Sequence, residues 1–135
     1  MRIMACYDDS EETPEVLRVA LDHAKAFDGE VLLVTSVVSA DKFYPDLLVP
    51  HEQALKKAEQ YFSGNAIACE TKIAFRGLEE NAGEALVMLA AKEKVDEIVI
   101  GIKRRSKLSK LIMGSVAQFV ILQADCPVVG VKKKS

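Results

Sequence analysis

The sequence predicts an α/β fold, a doubly wound five-stranded parallel sheet with helices on both faces. Three observations predict it. Five short apolar runs alternate strictly with four amphipathic segments. Val31–Val38 reads as one apolar run rich in β-branched residues, the pattern of a strand covered on both faces. The first strand, first helix and second strand fit within forty residues, the dimensions of a right-handed βαβ unit.

Each element has a local reason. Ile3–Tyr7 is a short apolar strand ended by Asp8-Asp9-Ser10. Thr13 followed by Pro14 marks a helix start, a capping hydroxyl before a proline at the first helical position. Val16, Leu17, Ala20, Leu21, Ala24 and Phe27 then recur at helical spacing, and Gly29 is expected to stop the helix. Ser39–Pro50 carries two prolines and reads as an irregular excursion over the sheet edge or a partner. His51–Phe62 is a second amphipathic helix. Ala68–Phe75 alternates loosely, as an edge strand does. Asn81 caps a third helix, with Glu84 at its third position. Glu97–Ile100 is the fourth strand, Val116–Ala124 the last helix and Val128–Val131 the last strand. Ser115 with Gln118 reads as a capping box at the entry to that helix. No internal repeat or low-complexity linker divides residues 1–135, so a single domain is expected.

A chain of 135 residues buries roughly two-thirds of the surface its unfolded form exposes. Half of the residues are hydrophobic and 28% are charged, an ordinary globular composition. Cys6, Cys69 and Cys126 have neither zinc-ligand nor redox-pair spacing, and read as free thiols in a reducing compartment. The chain opens on a strand rather than a signal peptide, and no apolar run spans a bilayer. A cytoplasmic location is expected.

The chemistry concentrates in Gly101–Ser115. This loop carries Lys103, Arg104, Arg105, Lys107 and Lys110 without a single carboxylate, in a chain whose formal charge is −2. A strand that feeds a loop and then a helix aims backbone N–H groups and the positive end of a helix dipole at one point. A localised cationic patch in an acidic body favours one defined anion over nucleic-acid coating. No aromatic residues are interleaved for base stacking, which argues further against RNA. Neither GxxxxGK[ST] nor GxGxxG is present. In doubly wound sheets ligands sit beyond the carboxyl ends of the strands, where strand order reverses. Asp8, ending the first strand, faces the same crevice as the basic loop if the first and fourth strands are neighbours. Neither His23 nor His51 has a spaced Ser or Cys partner, so no catalytic residue is assigned. One carboxylate, Asp8, is too little for a catalytic metal site.

Four pieces of the sequence resemble the universal stress protein family. They are Tyr7-Asp8-Asp9-Ser10, Asp96-Glu97-Ile98-Val99-Ile100-Gly101, Gly114-Ser115-Val116 and Ala124-Asp125-Cys126-Pro127-Val128. The resemblance implies strand order 3-2-1-4-5 and a homodimer paired through Val128–Val131. It also implies a stress-response regulatory protein that binds ATP or AMP, with or without Mg²⁺, and has no dedicated catalysis. Carried over by position, Gly101, Gly114, Ser115 and Val116 match the phosphate and ribose contacts. Asp8 matches the acidic residue near ribose and adenine, and Val37 an apolar contact to the base. The family's second loop glycine is Arg104 here. Arg104, with Arg105, either forks onto phosphate oxygens or fills the site. The second outcome leaves a dimeric interaction module without nucleotide. A slow nucleotide hydrolase is the third alternative.

Overall fold

The computed structural model describes residues 1–103 and 113–134. Among them, five parallel strands form one sheet in the order β3-β2-β1-β4-β5: β1 Arg2–Cys6, β2 Glu30–Val38, β3 Cys69–Arg76, β4 Glu97–Gly101 and β5 Val128–Val131. The reversal of order falls between β1 and its neighbours β2 and β4, so the ends of β1 and β4 are adjacent. Four α-helices connect the strands: α1 Thr13–Ala26, α2 Pro45–Ser63, α3 Ala82–Lys92 and α4 Ser115–Gln123.

Side-chain alternation along the strands divides the core in two. Ile3, Ala5, Val31 and Leu33 point to one face, where Val16 and Ala20 of α1 and Leu55 and Phe62 of α2 cover them. Met4, Cys6, Leu32 and Val34 point to the other, under Ala85 and Leu86 of α3 and Ala117 and Val120 of α4. Strands buried on both faces cannot alternate apolar with polar, which is why the central ones are nearly all apolar in sequence.

Three local expectations are corrected. First, Ser39–Pro50 is ordered: a 3₁₀ turn at Ser39–Phe43 leads into α2, which begins at Pro45 and continues through Pro50. Pro50 lacks an N–H, and that suggested a boundary where the helix in fact continues. Second, Gly29 does not stop α1. The helix ends in a Schellman turn in which Asp28 takes the left-handed conformation (φ 50°) and Gly29 N–H donates to the Ala24 carbonyl at 2.8 Å. Gly29 is small for another reason: a β-carbon there would lie 2.7 Å from the Met1 carbonyl oxygen. Third, neither Thr13 nor Ser115 caps its helix. The capping positions are Glu12 and Gly114, and neither supplies a side-chain capping bond. Asn81 does cap α3, its Oδ1 accepting from Gly83 N–H at 2.6 Å.

The amino-terminal edge of the sheet is held by charge. The Arg2 guanidinium reaches Glu30 at 3.0 Å, Glu70 at 3.2 Å and Glu93 at 3.7 Å, and the Asp96 carboxylate accepts from Arg2 N–H at 2.7 Å. His23 of α1 packs edge-on against Phe27, and its Nδ1 lies 2.6 Å from Oε1 of the buried Glu97 at the start of β4. Thus His23 is a packing residue remote from the opposite edge of the sheet.

Candidate functional site

The carboxyl-terminal edge is open. A cleft of about 520 Å³ lies over the ends of β1, β2 and β4, bordered by Pro50, His51 and Ala54 of α2 and by the starts of α3 and α4. That volume is in the range of small-molecule sites. Parallel connectivity forces this arrangement: each helix returns antiparallel to the strands, so helix N-termini gather at the carboxyl ends.

Five of the sequence-predicted residues converge here. Asp8, Gly101, Gly114, Ser115 and Val116 all line the cleft. Val37 does not. It is 4% exposed, one residue past Ser36, which does line the wall. Arg104 and Arg105 lie outside the described residues.

Asp8 is anchored by a tight turn. Asp9 takes φ 52°, which brings Ser10 and Thr13 back onto the Asp8 carboxylate. Oδ1 accepts from Ser10 Oγ at 2.5 Å, Thr13 Oγ1 at 3.0 Å and Ser10 N–H at 3.2 Å. The Thr13 hydroxyl is therefore engaged by Asp8 rather than by the helix backbone. Oδ2 pairs with Lys103 Nζ at 3.1 Å, across from β1 to the start of the basic loop. Partial burial pushes the Asp8 carboxyl up, but the bonds from Ser10, Lys103 and Thr13 outweigh it and hold the group below its ordinary value. Asp8 is thus an anion, with its second oxygen toward Lys103.

Gly101 has a packing reason and a site reason together. A β-carbon there would lie 2.9 Å from Glu12 Cβ, so α1 approaches the end of β4 closely enough to require glycine. Gly114 is less confined: among the described residues the nearest atom to an added β-carbon is Lys103 Cβ at 3.7 Å. Among the described residues no side chain caps α4, and Gly114, Ser115, Val116 and Ala117 all line the cleft, where first-turn N–H groups meet an anion.

Sequence reasoning missed the other wall. Ser36, His51 and Arg76 line the cleft on its β2–β3 side. The Ser36 hydroxyl is buried without a hydrogen-bond partner among the described residues. One signal was available: Thr35-Ser36 places two polar residues near the end of a run otherwise composed of Val and Leu. Cys6 also borders the cleft, and burial pushes its thiol up to about 12, so it is a neutral wall group. Among the described residues no group of three or more His, Cys, Asp or Glu is arranged to hold a metal ion, and no helix is long and apolar enough to cross a membrane.

The family model described as "Universal stress protein family" matches residues 1–132. The chain belongs to this family. A universal stress protein of Methanocaldococcus jannaschii is 31% identical, the alignment covering 98% of this chain and 82% of that protein. The structure of a universal stress protein from Archaeoglobus fulgidus superposes with a TM-score of 0.84 at 30% identity, over 98% of each chain. A structure of the universal stress protein from the same organism in complex with dAMP superposes with a TM-score of 0.80 at 26% identity, again over 98% of each chain. The strand order 3-2-1-4-5 is thus that of universal stress proteins, and nucleotide-bound structures exist within the family.

Proposed function

We propose that this universal stress protein is an adenine-nucleotide-binding regulatory protein, taking ATP or AMP in the cleft at the carboxyl edge of its sheet. The observation that carries this reading is the convergence of Asp8, Lys103 and the N-terminus of α4 on one cleft, from three separate parts of the chain. The phosphates sit against the N–H groups of Ser115 and Val116, with Gly101 and Gly114 leaving room for them and Lys103 supplying charge. The ribose lies at Asp8, whose carboxylate accepts from sugar hydroxyls. Arg104 and Arg105 add cations at the phosphate end. The dAMP complex of the Archaeoglobus fulgidus relative, of the same fold over nearly its whole length, supports an adenine nucleotide as the ligand.

Mg²⁺ in this reading arrives with ATP rather than as a resident ion. Asp8 and Asp9 are the carboxylates that line the cleft, and Lys103 already pairs with the first. The protein acts as a single domain in the cytoplasm and forms a homodimer through β5. Among the described residues that strand is at the end of the sheet, paired with β4, and its other edge is where a second copy would add. Calorimetric titration with AMP and ATP tests the reading: saturable heat supports it, and no heat at millimolar nucleotide defeats it. A nucleotide-free interaction module is the outcome in the second case.

A further inference from the structure

The stretch between β2 and the middle of α2 leaves an apolar corner in solvent, just outside the cleft. Phe43 is 81% exposed and Leu78, in the turn after β3, is 78% exposed, with Tyr44 and Leu47 also open. Strand register brings the two segments together. Val38 pairs with Arg76, so the 3₁₀ turn that follows β2 and the turn that follows β3 leave the sheet side by side. Backbone bonds fix the first of them: Tyr44 N–H donates to the Asp41 carbonyl at 3.0 Å, and Leu47 N–H to the Tyr44 carbonyl at 2.9 Å. Lys42 Nζ lies 5.0 Å from the centroid of the Phe75 ring, which holds the turn against β3. Leu47 precedes His51 by one helical turn, so it extends the α2 face that borders the cleft.

Single exposed apolar residues are ordinary, but four at one corner are not. Two aromatic rings and two leucines this open present on the order of 400 Å² of apolar surface, the size of a functional patch on a monomer. The same two segments carry Asp41, Asp46, Glu79 and Glu80. Among the described residues none of these four carboxylates is in ion-pair range of a cation. The two cations of the segments are engaged, Lys42 with the Phe75 face and Arg76 with the Glu80 carbonyl at 3.3 Å on the cleft side. The corner is thus apolar with an acidic rim. Such a rim repels anionic lipid and nucleic acid. A symmetric contact with a second copy would set the same carboxylates against one another. Its complement is cationic and apolar together.

We infer that this corner is a docking surface for a partner protein, which presents a short amphipathic segment with lysine or arginine interleaved among apolar side chains. The apolar side chains of that segment cover Phe43, Tyr44, Leu47 and Leu78, and its cations meet the acidic rim. Aromatic residues at the centre of such contacts carry most of the affinity, while rim charges add steering and salt dependence. The inference does not depend on what the cleft binds.

The test follows binding of an amphipathic lysine–leucine peptide to the full chain by fluorescence anisotropy, with a glutamate–leucine peptide of the same pattern as control. Saturable binding of the first and none of the second is expected, weakening as salt is raised. Phe43→Ser combined with Tyr44→Ser should weaken the lysine–leucine peptide by about tenfold, and Asp46→Asn combined with Glu79→Gln by about threefold. All four side chains are exposed, so both proteins should keep the thermal midpoint of the wild type. Leu122→Ser, at an exposed residue near the end of α4, should leave the affinity unchanged. No saturable binding of the lysine–leucine peptide, or an unchanged affinity in the folded Phe43→Ser/Tyr44→Ser protein, overturns the inference. So does binding to phosphatidylcholine–phosphatidylglycerol vesicles, or self-association in sedimentation, that this double substitution abolishes. The first would make a lipid surface the occupant, and the second another copy of this chain.

Discussion

The two edges of the sheet are built on opposite principles. At the amino edge, charged side chains pair with one another within the protein. Arg2 engages three carboxylates, Lys72 pairs with Glu70 and Glu93, and three helices end in Schellman turns whose left-handed positions are Asp28, Ala66 and Lys94. At the carboxyl edge, polar groups are left for something else. Among the described residues the first turn of α4 has no side-chain cap and Ser36 Oγ has no partner, and Lys103 reaches Asp8 across the cleft mouth. Both edges come from one connectivity, since helix C-termini gather at one end and N-termini at the other. The difference teaches that polarity alone does not mark a site. Charge is as dense around Arg2 as around Asp8, and only the second cluster faces a cavity.

Substitutions that act on one edge alone sharpen this contrast. The largest expected effect is that of Gly114→Val. The backbone at Gly114 (φ −58°, ψ 146°) suits valine and a β-carbon has ordinary clearance, so the fold should persist. The isopropyl group would occupy the approach to the α4 N–H groups and weaken nucleotide binding by about 100-fold, or ~2.7 kcal/mol, in calorimetry. An unchanged affinity would move the phosphate end elsewhere.

Arg2→Ala acts on the other edge. Each of its ion pairs is partly exposed and worth up to ~1 kcal/mol, so the loss should be about 1–2 kcal/mol of stability in urea denaturation. Nucleotide affinity should not change. A change in affinity without a change in stability would mean the edges are coupled.

The left-handed positions allow a gain. Ala66 (φ 60°) and Lys94 (φ 53°) adopt a conformation that disfavours side chains, and Lys94→Gly should raise stability by roughly 0.5–1 kcal/mol. Denaturation of the Ala66→Gly and Lys94→Gly proteins checks this; a loss in both would contradict the Schellman assignment.

The smallest effect is electrostatic. The folded-state pKa of Asp8 lies below its ordinary value, so its ionised form contributes stability above the unfolded pKa of about 4, and that contribution is lost as pH falls through the lower folded value. The carboxylate is nearly half exposed, so solvent screening leaves only a few tenths of a kcal/mol. Asp8→Asn should therefore flatten the acid limb of the stability profile below about pH 4 and shift neutral-pH stability only slightly.

Much of the fold was legible because the strands are buried on both faces and announce themselves as apolar runs. Asn81 was legible because a cap needs only local geometry. Thr13 and Ser115 misled for the same reason: a hydroxyl before a helix satisfies the local rule, but Thr13 is drawn to Asp8 by the turn at Asp9, and Ser115 is already the first residue of α4. Pro50 marked a break that the helix does not make. At the site, the Asp8 and Gly114–Val116 contributions could be read from strand and helix ends. Ser36 and Arg76 could not, because they come to one wall of the cleft only once β2 and β3 are aligned.

The central claim is that the carboxyl edge, and not the amino edge, takes an adenine nucleotide. Backbone amide spectra recorded during AMP titration test it most directly. The account predicts saturable shifts at Asp8, Ser36, Gly101 and Ser115–Ala117, with the amides around Arg2, Glu70 and Lys94 unmoved. No saturable shift up to millimolar AMP, or shifts centred on the Arg2 cluster, would contradict it.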